Sequence, residues 1–279
     1  MTYLIVPLHN DQERLREFVA CLNAQTVKPF VLWVDNGTKN CARCVVRSYR
    51  GGYLCLPITR GGYSRNYWTG CLKTAQEWLE RVGSEHIVGI MNNDVTFGPD
   101  YIERATGYSA HNRIVSSLIV DAATGREVQK GVRFLWSTIF TRQYGAISTV
   151  SRLELPYDAM RDSGVFLTVG TFRKIHLHAH LLPHYCNDYT WTNRLIRGGV
   201  EVRVPDDLRL SLDFSTTGIV NPKSLRELFS VRCPHNPIIY TVFILLVCPL
   251  LWKLPNIIRV WGYAVVRAWR ILKGGEPIG

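Results

Sequence analysis

No leader is expected of this sequence, and it shows no repeat and no apolar run long enough to cross a membrane. Its start enters a strand-like run, Tyr3-Leu4-Ile5-Val6, with no basic region leading into a long apolar stretch and a small-residue cleavage site, so secretion is not expected. The longest apolar stretch, Pro237 to Trp252, is 16 residues broken by Pro249, short of the roughly 20 residues of a spanning helix. A second cysteine pair is also missing. Only Cys41 and Cys44 have metal-ligand spacing, and no further Cys or His pair completes them, so a structural zinc site is not expected. The eight cysteines are scattered and mostly sit in apolar stretches, as reduced core cysteines do, which implies a reducing compartment.

At 279 residues, 47% of them hydrophobic, the chain can bury the core of one large domain, or of one domain with an appendage. Its 33 basic residues against 22 acidic ones leave a formal charge of +11, which favours an anionic partner: nucleic acid, a phosphorylated substrate or acidic lipid.

An apolar run over residues 3–7 closes on Pro7, and Leu15, Phe18, Val19 and Leu22 then share one helical face. Asn10 with Glu13 three residues on reads as a capping box at the start of that helix. A second strand, Phe30 to Val34, ends in the polar turn Asp35-Asn36-Gly37. A short strand from Tyr53 to Leu56 precedes Arg60-Gly61-Gly62-Tyr63-Ser64-Arg65-Asn66, and Leu72, Ala75, Trp78, Leu79 and Val82 mark another helix. His86 to Met91 reads as a strand running into Asn92-Asn93-Asp94. Strands alternating with helices predict an α/β fold whose central sheet is mainly parallel and flanked by helices, because parallel neighbours need a crossover that usually carries a helix. A boundary is expected between Ser215 and Pro222, dividing residues 1–217 from a helical appendage, 218–279.

Three polar turns, His9-Asn10, Asp35-Asn36 and Asn92 to Asp94, would lie side by side along the carboxyl edge of such a sheet, where open α/β sheets bind ligands. Each alone also reads as an ordinary cap; three in register argue for one site. Asp94 suits Mg²⁺ or Mn²⁺, hard ions that bind through one or two carboxylates plus substrate phosphates. Asp35 and Asn36 suit a base or ribose, and Gly61-Gly62 beside Arg60 and Arg65 can bring backbone N–H groups and charge to a diphosphate.

In order and spacing these segments resemble the inverting glycosyltransferases of family 2, bacterial rhamnosyltransferase-like members among them. Ile5-Val6-Pro7-Leu8-His9-Asn10 stands where that family has V-P-x-x-N, and Val34-Asp35-Asn36-Gly37-Thr38 where it has D-N-x-S/T. Asn92-Asn93-Asp94 takes the place of its D-x-D turn, and Gly164 to Gly170 follows. Leu182-Pro183-His184-Tyr185-Cys186-Asn187-Asp188-Tyr189 looks like its E-D or x-D motif at a helix start, with Arg194 six residues on and Gly198-Gly199-Val200-Glu201-Val202 closing the helix.

The resemblance covers residues 3–217 and implies the GT-A fold with a nucleotide-diphosphate sugar as donor. It implies donor contacts from Pro7, His9, Asn10, Asp35, Asn36, Arg60, Gly62, Asn66 and Asn93, a metal on Asp94, and Asp188 as general base. Departures leave single carboxylates. Asn92 replaces the first acid of D-x-D, Asn187 the frequent glutamate before the base, and Arg60, Tyr67 and Trp68 stand where the family often has asparagines. A Q-x-x-R-W motif and several long spans, marks of processive synthases, are absent, so single-sugar addition to an acceptor hydroxyl is expected.

His176, His178, His180 and His184 are close in sequence, but helix-like and loop-like segments interrupt their strand-like spacing, so a metal site is not expected there; His184, four residues before Asp188, can reach an acceptor. After Lys253 the chain reads as a basic amphipathic helix, with Arg259, Arg267, Arg270 and Lys273 opposite Ile257, Ile258, Trp261, Ala264, Val265, Ala268 and Leu272. Such a helix suits an anionic membrane surface, and the alternative is packing on the catalytic domain or in a dimer. The expected setting is cytoplasmic, at the inner face of the plasma membrane, with a glycan or lipid-linked acceptor. The competing class is a non-catalytic nucleotide-sugar or nucleic-acid binder; no nucleic-acid module accompanies the basic excess, so nucleic acid is not an expected partner.

Overall fold

A computed structural model of the chain describes residues 1–8, 12–35, 44–58, 68–129, 131–137, 147–150, 157–212 and 221–273. His9, Asn10, Asn36, Cys41, Arg60, Gly62 and Asn66 lie outside the described residues.

The apolar runs form strands and the 3.6-residue stripes form helices, as their periods require. The first half contains β1 (Thr2–Leu8), α1 (Gln12–Ala24), β2 (Phe30–Asp35), β3 (Tyr53–Pro57), α2 (Trp68–Leu79), β4 (Ile87–Ile90), β5 (Val95–Phe97) and α3 (Tyr101–Tyr108). Then follow β6 (Arg113–Ser116), β7 (Leu118–Asp121), β8 (Glu127–Gln129), β9 (Gly131–Phe134), β10 (Ile147–Val150), β11 (Val165–Thr168), α4 (Val169–Arg173), α5 (Asn187–Arg197), β12 (Glu201–Arg203) and β13 (Arg209–Leu212). The end is helical: α6 (Leu225–Leu228), α7 (Pro237–Val247) and α8 (Leu250–Leu272).

Among the described residues the central sheet runs β12-β6-β11-β4-β1-β2-β3. All its pairings are parallel except those of β11, which runs antiparallel between β4 and β6. Residues of β1 alternate between two cores. Leu4, Val6 and Leu8 pack with Leu15, Phe18, Val19 and Leu22 of α1, whereas Ile5 packs with Leu72, Ala75 and Leu79 of α2 and Trp191 of α5. Burial on both faces explains why these strands read as continuous apolar runs.

A second sheet, β5-β13-β7-β8, was not anticipated. It branches off directly after the Asn92-Asn93-Asp94 turn, since Val95 of β5 pairs with Leu212 of β13. The C-terminal helices share a core with the preceding unit: Ile239, Phe243 and Val247 of α7 pack with Val132, Phe134, Ala159, Leu182 and Cys186. Burying each such side chain contributes about 1.5–3 kcal/mol. Asn236 caps α7 by accepting from the Ile238 N–H at 2.9 Å, and Pro237 occupies the first turn. Pro249 ends that run, as its missing N–H predicts. α8 then starts at Leu250, ahead of the expected Lys253, and carries Pro255 within it. The Asn256 side chain there donates to the carbonyls of Trp252 (2.8 Å) and Trp136 (3.1 Å).

Candidate active site

The parallel register aligns the strand ends. Leu8 stands opposite Asp35, which stands opposite Pro57, and the Met91 N–H donates to the Ile5 carbonyl at 3.1 Å. Asp35 and the Asn92 to Asp94 turn therefore share the carboxyl edge of the sheet, as expected of a ligand-binding edge. Pro7 is buried within β1 opposite Val34, so it shapes the strand beneath this edge. Asn93 is buried, Asp94 is partly exposed, and the Asn92 side chain donates to the Asp94 carboxylate.

β11 brings a second stretch to the same place. The Gly164 N–H donates to the Ile90 carbonyl at 2.8 Å, setting Arg161-Asp162-Ser163 beside the end of β4. Gly164 sits at φ +77°, and a Cβ there would stand 2.7 Å from Ser117 Oγ, so glycine is required both for the left-handed backbone and for the close approach. Asp162 is buried and accepts from the indole N–H of Trp68, the first residue of α2. The following residue of α2, Thr69, ties to the loop before α5: its N–H donates to the Pro183 carbonyl at 3.0 Å and its hydroxyl to that of Leu182 at 2.7 Å.

Asp188 enters from a third direction, in the first turn of α5, where a carboxylate is favoured by the helix dipole. Cys186, the residue that turns the chain into this helix, holds φ +64°, a left-handed conformation rare for a side chain with a Cβ and characteristic of functional turns. The middle of α5 is clamped to the β11 approach: Thr192 Oγ1 accepts from the Met160 N–H at 2.9 Å and donates to its carbonyl, and the Asn193 side chain donates to the Asp158 carbonyl at 2.7 Å.

The electrostatics join these pieces into one cluster. Burial pushes the Asp188 carboxyl up to about 6, while backbone N–H groups and the Arg161 guanidinium oppose the rise. Asp162 is raised as well, by burial first and then by repulsion from Asp188. Two neighbouring carboxyls that repel each other titrate as a pair. Asp94 is raised by burial against its own backbone N–H, Arg14, the Asn92 side chain and Arg161. One guanidinium, Arg161, thus acts on all three carboxyls.

Asn93 Nδ2, Asp94 Oδ1, Ser163 Oγ and both side-chain polar atoms of Asn187 are buried and have no hydrogen-bond partner in the protein. Each such group costs about 1–3 kcal/mol, so their presence in the β4 turn, the approach to β11 and the head of α5 marks a place suited to a polar ligand. Among the described residues no three His, Cys, Asp or Glu side chains converge to hold an ion. The partnerless Asp94 oxygen still fits Mg²⁺ or Mn²⁺, which need only one or two protein carboxylates when substrate phosphates complete the shell.

Of the residues named from sequence, Asp35, Asn93, Asp94 and Asp188 are found on this edge or at its mouth. Sequence reading missed Asp162 and Arg161, and it treated Trp68 only as a departure. The signal for Asp162 lay two residues before the recognised Gly164 motif. Arg194 is exposed, on the side of His178, whose imidazole is lowered by burial, by His176 and by Arg194. His176 and His178 touch edge to face at 4.6 Å, and His184 meets Tyr185 at 4.5 Å.

Solved structures share this architecture. S. aureus TarS superposes with a TM-score of 0.55 at 14% identity over 96% of this chain and 43% of that one. Its 1–349 form in complex with UDP-GlcNAc gives 0.55 at 13% identity, over 96% and 72% of the two chains. The mannosyltransferase PcManGT from Pyrobaculum calidifontis, in complex with GDP-Man and Mn²⁺, gives 0.52 at 14% identity, over 98% and 79%. The chain has the GT-A glycosyltransferase fold. It spans less than half the length of full-length TarS. No protein-family model and no curated protein sequence matches it. In this fold the β4 turn with Asp94 and the head of α5 with Asp188 each carry a partly exposed carboxylate.

Proposed function

We propose that this chain is an inverting glycosyltransferase of the family 2 type, moving a single sugar from a nucleotide diphosphate to an acceptor hydroxyl. The observation that carries the reading is that Asp94 and Asp188, far apart in sequence, both come under the charge of Arg161 at the carboxyl edge of a GT-A sheet. TarS and PcManGT, solved with UDP-GlcNAc and GDP-Man, support the donor class.

Asp188 accepts the proton of the acceptor hydroxyl as its oxygen attacks the anomeric carbon. The bond from that carbon to the diphosphate oxygen breaks on the opposite face, its electron pair leaves with the nucleotide diphosphate, and the configuration inverts. A base that titrates near 6 is ionised at neutral pH yet basic enough to take a proton in the transition state. Asp162, fixed by the Trp68 indole, sets a second, buried carboxyl beside it, and repulsion from Asp188 helps to keep Asp162 protonated. Asp94 would hold Mg²⁺ or Mn²⁺, which would supply positive charge against the departing diphosphate. Asp35 lies at the edge position suited to the base or ribose. The acceptor is a glycan or lipid-linked hydroxyl, and the setting is cell-surface polysaccharide synthesis at the inner face of the plasma membrane.

A panel of UDP-, GDP- and dTDP-sugars, each with and without Mn²⁺, tests this by thermal stabilisation. A true donor at 100 times its Kd adds about 2.7 kcal/mol of stability. One donor is expected to raise Tm with Mn²⁺ present and to lose that effect in Asp94→Ala. No stabilisation by any member would contradict the reading; stabilisation without turnover in any acceptor extract would leave a non-catalytic binder.

A further inference from the structure

The C-terminal helices expose an apolar surface that the cleft chemistry does not use. Leu251, Leu254, Ile258, Trp261, Val265, Trp269 and Leu272 recur every three or four residues along α8, and each is at least 40% exposed. At 1.5 Å per residue they form a stripe about 32 Å long. The opposite face of the same helix, Asn256, Val260 and Ala264, is the one buried against the protein. Phe229, just after α6, extends the patch, meeting Trp261 at 6.4 Å between ring centroids. A contiguous apolar face of this size on a folded chain marks an interaction site.

Charge decides between the possible occupants. From Leu228 to Lys273 the chain carries six basic residues, Arg232, Lys253, Arg259, Arg267, Arg270 and Lys273, and no acidic one. By helical geometry Arg259, Arg270 and Lys273 run along one edge of the stripe. Pairing with a second copy through this stripe would set like charges of the two helices side by side. An anionic bilayer neutralises them and covers the apolar face at once, and the indoles of Trp261 and Trp269, 40% and 56% exposed, suit the headgroup layer. Among the described residues no helix is long and apolar enough to cross a membrane, so the helix lies in the interface plane.

We propose that α8 docks this chain on an anionic lipid bilayer through the Leu251 to Leu272 stripe, with Arg259, Arg270 and Lys273 on phosphate headgroups. The helix that connects this face to the cleft is α7, whose Phe243 and Val247 pack on Leu182 and Cys186 of the loop that sets Asp188. Docking therefore holds the Asp188 end of the cleft beside lipid; that a lipid-borne hydroxyl is the acceptor rests on the glycosyltransferase reading, whereas docking itself does not.

Flotation of the full chain with vesicles provides the test. Binding to phosphatidylglycerol-containing vesicles is expected to exceed binding to pure phosphatidylcholine by about tenfold or more, and to weaken but persist at high salt because the apolar stripe remains inserted. The triple variant Leu254→Gln/Ile258→Gln/Val265→Gln changes side chains already 63–67% exposed, so it keeps the wild-type Tm while losing at least about tenfold in vesicle affinity. Arg259→Gln/Arg270→Gln/Lys273→Gln is expected to lose the lipid preference. Asp188→Asn should float like wild type, which separates this proposal from the catalytic one. A folded wild-type chain that ignores both vesicle types, or a stripe variant that floats unchanged, overturns the proposal. So does a concentration-dependent dimer that the triple variant abolishes in a chain without lipid affinity.

Discussion

The cleft and the outer face of α8 break the same packing rule in opposite senses. At the cleft, Asn93, Asp94, Ser163 and Asn187 keep polar atoms buried with no protein partner; on α8, Leu254, Ile258 and Val265 stay in solvent with no apolar cover. Folding alone favours neither. Local conflicts of this kind concentrate where a protein meets something else, and their sign gives the polarity of the partner each region suits: polar at the cleft, apolar at the helix. The helix α7 lies between the two regions, packing on the Asp188 loop and joined to α8.

The sharpest way to break the comparison is at the cleft. Asp188→Asn is expected to lower transfer by about 10²–10⁴-fold, the usual contribution of a general base, with donor binding retained. Phe243→Ala removes the side chain that α7 buries against the Asp188 loop, and is expected to cost about 3–5 kcal/mol in a denaturant melt. If it left stability unchanged, α7 would be an independent appendage and the two regions would not be mechanically joined.

Two smaller effects concern proton affinity. The base must be ionised to work, and its carboxyl is raised to about 6, so kcat/KM should fall as pH drops through about 6. Repulsion from Asp188 falls on Asp162, whose own carboxyl is raised well above the ordinary range, so Asp162→Asn should leave that acid limb in place. A limb that moves to lower pH would show that an ionised Asp162 raises Asp188 in turn.

The same shift has a stability consequence of defined sign. The folded-state value lies above the ordinary carboxylate range, so the protonated form favours the fold, and that contribution is lost as pH rises through about 6. Asp188→Asn should therefore melt higher than wild type at pH 8. The advantage should shrink between pH 6 and 4, where the wild-type carboxyl takes up its proton, and a Tm difference that does not vary with pH would contradict the burial of this charge.

Much of this was legible from sequence because it is local. Apolar runs ending in Asp35 and in Asn92 to Asp94 give strands with polar ends, and Asn187-Asp188 before an amphipathic stretch gives a helix start. Asp162 was not legible, because its importance comes from β11 inserting antiparallel beside β4, a pairing of Val165 with Ile90 that no short-range period encodes. The outer stripe was half legible. Periodicity predicted an amphipathic helix after Lys253 but grouped Ala264 with Ile258 and Trp261 on one arc. Packing turned Ala264 inward, buried with Val260 and Asn256, and left Ile258 and Trp261 outside. Which stripe faces the body depends on the surface it meets, and the helix sequence does not contain that surface.

The central claim is that Asp188 is the base of a nucleotide-sugar transfer, and parallel measurement of donor binding and turnover in wild type and Asp188→Asn tests it most directly. The account predicts that the donor found in the stabilisation panel raises the Tm of both proteins equally while only the wild type releases nucleotide diphosphate. Near-normal release by Asp188→Asn would contradict it.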